Sequence, residues 1–210
     1  MKLFKSLILA LISVVVLAGC ASLNQDECLN ANWYTLGYVD GANGVNTTKV
    51  GDYQSDCAAY GVTPDFEQYQ KGHAKGVREF CTPLNGFKQG RRGNEYNGIC
   101  PQDLKIDYLD ALAAGRDHLL ALEDVRQAEV NLSRIESQLV YIADEIESKE
   151  LQLVEDGITR DERIRILDEI KLLQHDIVEL ETDLAIFAQE RLNRLDRLEF
   201  LERRDSHLIP

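Results

Sequence analysis

VRQAEVNLSRIESQLVYIADEIESKELQL, residues 125–153, is the stretch on which the fold turns. Val125, Leu132, Leu139, Ile146 and Leu153 recur every seven residues, and Ala128, Ile135 and Ile142 sit three places after the first three. Apolar residues at these heptad positions draw one stripe along a helix, and that stripe needs a second helix to cover it. A further series, Ile166, Ile170, Leu173, Ile177, Leu180, Leu184 and Phe187, alternates steps of four and three. Between the two lies Glu155-Asp156-Gly157-Ile158-Thr159. Gly157 is a natural helix stop, and Thr159 with Glu162 three places on spells a capping box that opens a new helix. The two series therefore predict an antiparallel coiled-coil hairpin over 103–210 with its turn near 156–159. Folding back there sets Leu132 against Leu184, Leu139 against Ile177 and Ile146 against Ile170. Leu151, Leu167, Leu172 and Leu192 fall outside this seam, available to a protein partner or to a second copy. Arg191, Arg194 and Arg197 should face the stretch holding Asp117, Glu123 and Asp124, where exposed ion pairs contribute only about 0–1 kcal/mol each and fix register.

Upstream of Pro101 the composition changes. Of the 14 glycines only Gly115 and Gly157 lie beyond it, so residues 20–102 read as a separate unit. YTLGYVDG (34–41) and YQKGHAKG (69–76) share one spelling, and FKQGRRG (87–93) is a shortened version. The aromatic and both glycines fall on one stripe of a helix. Glycine there costs about 1 kcal/mol relative to alanine, and close approach of packed helix backbones is the expected gain that offsets it; the alternative is a site where a ligand touches exposed backbone, near the turn-like, polar Asn85-Gly86 and Asn97-Gly98. Phosphate-binding signatures are missing, and Asp40, Lys71, His73 and Lys75 make the stretches too polar for membrane helices. Helices are expected at about 31–44, 49–60 and 65–81, with a shorter element over 85–94 and a loop from Tyr96 to Cys100.

Cys28, Cys57, Cys81 and Cys100 lie in this unit, with no C-x-x-C pair, and the four histidines are scattered. Two disulfides are expected rather than a metal site, and no cofactor. Helices that reverse at tight turns bring the start of the first beside the end of the second, which predicts Cys28–Cys57 and leaves Cys81–Cys100.

Lys2 and Lys5 precede an apolar run over Leu7–Leu17 that is too short to span a bilayer, which takes about 20 residues. It ends in Leu17-Ala18-Gly19-Cys20, which looks like the lipobox of bacterial lipoprotein signal peptides. Residues 1–19 would then be removed and Cys20 would carry the lipid, a firm multi-chain anchor. Ala21, rather than aspartate, follows the cysteine; by analogy with enteric sorting this favours the outer membrane, facing the periplasm. The linker from Cys20 to Cys28 reaches at most about 28 Å. The formal charge is −13, and removal of residues 1–19 leaves 21 basic against 36 acidic residues, or −15. So acidic a chain is repelled by nucleic acid.

Trp33-Tyr34-x-x-Gly37-x-x-Asp40-Gly41, Cys57, Tyr60-Gly61-Val62-Thr63-Pro64-Asp65, Tyr69-x-x-Gly72-x-x-x-Gly76, Phe80-Cys81-Thr82-Pro83-x-Asn85-Gly86-Phe87 and Gly90-x-x-Gly93-x-x-Tyr96-x-Gly98-x-Cys100-Pro101 follow one another along the chain. Together they resemble a proteobacterial lipoprotein family known only as a domain of unknown function, over about residues 28–120. The resemblance implies an envelope lipoprotein and brings no catalytic residues. No nucleophile arrangement is spelled locally, and a non-catalytic protein is expected. Asp40 and His73 could approach as an acid–base pair, with the solvated side of packed helices as the plainer reading. Trp33, Tyr34, Tyr69 and Tyr96 are candidates for an aromatic platform under sugar rings such as those of peptidoglycan; the alternative is that they form the core of a small domain. The fold expected is all-α: a small disulfide-stapled helical domain followed by a long antiparallel hairpin.

Overall fold

A computed structural model describes residues 23–209, so the signal segment and Cys20 lie outside the described residues. The described chain is all-α: α1 (Gln25–Leu29), α2 (Trp33–Ala42), a 3₁₀ turn (Thr47–Lys49), α3 (Val50–Ala58), α4 (Phe66–Phe80), α5 (Pro83–Arg91), α6 (Gln102–Leu153), α7 (Arg160–Arg204) and a last 3₁₀ turn (Ser206–Leu208). Side chains start most of these helices. Asn24 and Glu27 form a reciprocal capping box, and Asn32 and Asp65 each accept an N–H from the first turn of their helix. Each satisfies an otherwise orphaned donor. Short α1 is the one helix the sequence reading omitted. No described helix is long and apolar enough to cross a membrane.

The chain divides into two compact units, the residues up to 85 with 96–109, and 86–95 with those from 110 onward. The division does not follow the composition shift near Pro101, because α5 and α6 each contribute residues to both units. Within the first unit α2 and α4 cross at their glycines. An added Cβ at Gly37 or Gly41 would overlap the carbonyls of Tyr69 or His73; one at Gly72 or Gly76 would overlap those of Tyr34 or Tyr38. The two matching stretches are therefore partners, each supplying the gap that the other's backbone fills. Cys28 is bonded to Cys57 and Cys81 to Cys100, the pairing expected from helix order. Leu23, Cys28, Tyr53, Cys57 and Tyr69 form one apolar cluster, with Trp33, Leu36, Val50 and Val62 around it.

The second unit repeats the device. An added Cβ at Gly90 would overlap the Leu112 carbonyl, and one at Gly115 the Phe87 carbonyl. Gly86 and Gly90 are the buried pair on α5. Gly93, by contrast, has φ +76° and follows the helix end, so the third stretch spells its stripe with Gly86 rather than Gly93. Left-handed backbone there is the usual glycine helix stop.

Helices α6 and α7 lie antiparallel in this unit. Val125, Ala128, Ile135, Ile166 and Ile170 are buried, and Leu132, Leu139, Ile142, Ile146, Leu173, Ile177, Leu180, Leu184 and Phe187 are half-buried. Gly157, at φ +90°, makes the turn, and Thr159 with Glu162 forms the capping box of α7. Register differs from expectation. Lys149 meets Glu169 at 2.6 Å and Arg191 meets Glu129 at 3.4 Å. Counting inward from these two pairs sets Leu139 level with Leu180 rather than Ile177, a step of roughly 4.5 Å along the axis. The physical reason is that a knob seats between residues of the facing helix rather than on its own equivalent. Of the three arginines, Arg194 reaches the Asp124 carbonyl and Arg197 its carboxylate.

Candidate functional site

Asp40, on α2, is buried with its carboxylate aimed at two tyrosines. Tyr69 of α4 donates to Oδ2 at 2.7 Å and Tyr53 of α3 donates at 3.0 Å. Burial, and after it the bond to Asp40, pushes both phenols well above their ordinary range, so both stay protonated donors. The tyrosine rings meet edge-on at 6.1 Å, and Trp33 lies 6.4 Å from Tyr53. The carboxylate thus has neutral donors in the core of its unit. His73, one turn past Tyr69, stacks on that ring at 6.0 Å, and its Nε2 donates to the Val45 carbonyl at 2.7 Å. Asp40 and His73 are each committed to other partners, and no hydrogen bond joins them as an acid–base pair.

On the other side of His73 the surface opens into a groove of about 500 Å³, lined by Asn46, Thr47, His73, Ala74, Val77, Arg78, Gly98, Ile99 and Pro101. Arg78 bonds Asp103 at 2.7 Å and holds that carboxyl below the usual carboxylate range. Of the six residues the sequence offered for ligand contact, only His73 lines this groove. Tyr69 is fully buried, Trp33 is half-buried and Tyr34 is exposed on α2. The half-buried Tyr96 hydroxyl accepts the Cys100 N–H at 3.1 Å, and the ring lies tilted against that of Tyr108, 5.9 Å away. The aromatics do not form a common platform. The groove's other polar residues, Asn46, Thr47 and Arg78, carry little sequence signal, because chain segments far apart in number build its walls. A second hollow, about 450 Å³, is lined by Leu23, Asp26, Glu27, Asn30, Ala31, Asn32, Thr35 and Leu36.

A buried polar cluster in the second unit was missed altogether. His118 of α6 lies 2.8 Å from Asp205 Oδ2, Arg204 donates to both oxygens of Asp205, and the Phe87 ring stands edge-on to His118 at 5.0 Å. The Arg204 bond, then burial opposing it, then the His118 bond leave the Asp205 carboxyl below its ordinary range. An ionised carboxylate only accepts, so His118 Nε2 carries the proton. The cluster pins the final turn, with Leu208 packed beside Phe87 and Ala111. Among the described residues no group of three or more His, Cys, Asp or Glu could hold a metal ion, and no buried side-chain nitrogen or oxygen lacks a hydrogen-bond partner.

Residues 32–117 match a family described as protein of unknown function (DUF2799). The match takes in the α2–α4 crossing, the groove and the α5–α6 crossing, and stops short of the α6–α7 seam. No curated protein and no solved structure matches the chain.

Proposed function

We propose that this chain is a non-catalytic, outer-membrane-anchored periplasmic lipoprotein whose helical hairpin is an arm for protein contacts. Lipid on Cys20 holds the disulfide-stapled domain near the bilayer. The observation that carries the reading is the exposed apolar surface along the hairpin, beside a small domain whose polar core is closed on itself. In the small domain the polar groups with chemical potential, Asp40, Tyr53, Tyr69 and His73, bond one another or backbone. The hairpin instead leaves large apolar residues in the open: Val140 is 62% exposed, Leu172 65% and Val178 61%. Exposed apolar surface on an otherwise charged hairpin fits protein recognition. The lipobox-like Leu17-Ala18-Gly19-Cys20 and the resemblance to a lipoprotein family support the anchor.

Photo-crosslinking residues placed along α6 and α7 of the full chain in intact cells test the arm. Adducts at hairpin positions are expected; adducts confined to the groove residues would overturn it. Cys20→Ser tests the anchor and should move the protein out of the membrane fraction. A second reading, a glycan- or small-ligand-binding module with the hairpin as spacer, is favoured by the open groove beside His73. Peptidoglycan fragments that shifted the resonances of Asn46, His73 and Arg78 would support it.

A further inference from the structure

The exposed side of α7 carries a heptad series of its own. Ile164, Leu167, Lys171, Gln174, Val178, Glu181, Ala185, Ala188 and Leu192 alternate steps of three and four, and every one of them is exposed. Ile164, Leu167, Val178 and Leu192 are 45–61% open. The other exposed apolar residues are interrupted by acids: Asp144 and Glu147 separate Val140 from Leu151, and Glu179 separates Leu172 from Ile186. The α7 series is also broken, by Lys171, Gln174 and Glu181, but its polar and apolar members are placed so that it is self-complementary.

Turn the series end for end about residue 176. Ile164 then meets Ala188, Leu167 meets Ala185, Lys171 meets Glu181, and Gln174 meets Val178, while Leu192 falls at Arg160, the first residue of α7. Both large residues of the first half face alanines of the second, and the one cation faces the one anion. A surface that satisfies itself under a two-fold rotation is what an isologous contact requires, since residue i meets j and j meets i. Large against small lets two helices close together, as the glycine crossings do inside each unit. Within the chain Lys171 pairs with Asp168 on its own helix, at 3.1 Å and well exposed.

We infer that the occupant of this face is a second copy of the chain, docked with its α7 antiparallel about residue 176, Lys171 against Glu181 of the partner subunit on both sides of the axis. This deepens the reading of the hairpin as an arm for protein contacts and rests on it.

Charge reversal tests it without disturbing the seam. The full chain, extracted in density-matched detergent, is sized by analytical ultracentrifugation over a concentration series. The wild type should reach a dimer. Lys171→Glu and Glu181→Lys should each weaken the dimer by about tenfold or more, because like charges then oppose each other on both sides of the axis. Mixing the two single variants should restore association. The glutamate introduced at position 171 of one chain then meets the lysine introduced at position 181 of the other, while the native Lys171 and Glu181 meet across the second contact. That rescue in trans is out of reach for any effect confined to one chain. A monomeric wild type, single variants that dimerise as the wild type does, or a mixture that stays monomeric would each overturn the pairing. If the wild type is monomeric while hairpin photo-crosslinks to another protein persist, the two-fold contact fails and the interaction arm stands; if those adducts are absent too, both fail.

Discussion

A methyl group added at Gly72 would overlap the Tyr34 carbonyl, whereas one at Gly51 would meet nothing within 4 Å. The same substitution should therefore act in opposite directions. Gly72→Ala should destabilise by about 1–3 kcal/mol, the usual cost of overpacking, or more where backbone must move. Gly51→Ala should be neutral or stabilising by up to about 1 kcal/mol through helix propensity. Urea unfolding of the two variants reads the contrast directly. Asp205 offers a second residue-level test. Its folded carboxyl lies below the unfolded value of about 3.9, so its contribution is complete above that pH and is lost as pH falls through the depressed folded value. Asp205→Asn should lower stability at neutral pH and flatten the acid limb of the pH–stability profile; an unchanged limb would show that the carboxylate contributes nothing. This pair was readable in principle. Seven residues before Val125 stands His118, and three heptads after Leu184 stands Asp205, so the seam spacing itself puts both polar groups inside. The bonds from Tyr53 and Tyr69 to Asp40 had no such signal, because residues 13 and 29 apart meet only once three helices have folded.

Helix boundaries were the most legible feature, since each depends on a few neighbouring residues. Asp65 caps α4, Thr159 with Glu162 caps α7, and Gly157 takes the left-handed turn. Thr159→Ala should cost about 1 kcal/mol. Hydrogen exchange should locate the loss in the first turn of α7, with the seam around Leu180 still protected. The Glu162 carboxyl, held low first by the Thr159 backbone N–H, reports the same event, and its titration should return towards the ordinary glutamate range if the variant opens the cap. Register was less legible than periodicity. Spacing establishes that two stripes meet, but sliding one past the other by a heptad step keeps apolar residues in contact. Long polar side chains at the flanks, Lys149 with Glu169 and Arg191 with Glu129, break that degeneracy. The fate of FKQGRRG has a similar cause: the spelling alone does not show that Gly93 lies past the helix end at φ +76°, or that Gly86 and Gly90 are the buried glycines of α5.

Two compact units with different sources of stability make up the molecule. Both disulfides belong to the first, where the loops they close span 29 and 19 residues and each bridge should contribute about 2–4 kcal/mol. The second relies on the seam between two long helices, α7 alone being 45 residues, or about 68 Å. A reducing agent should lower one thermal transition by several degrees and leave helical signal from the seam in place; a single transition shifted as a whole would mean that the units unfold as one. The α6–α7 seam falls outside residues 32–117, so the family match says nothing of it, and every proposal about the arm depends on the tail returning on itself. Paired cysteines test that return most directly. With the native cysteines bonded, Leu139→Cys/Leu180→Cys should close an intramolecular bridge on mild oxidation, faster than Leu139→Cys/Ile177→Cys. Bridges that form only between chains, or a preference for position 177, would contradict the seam described above.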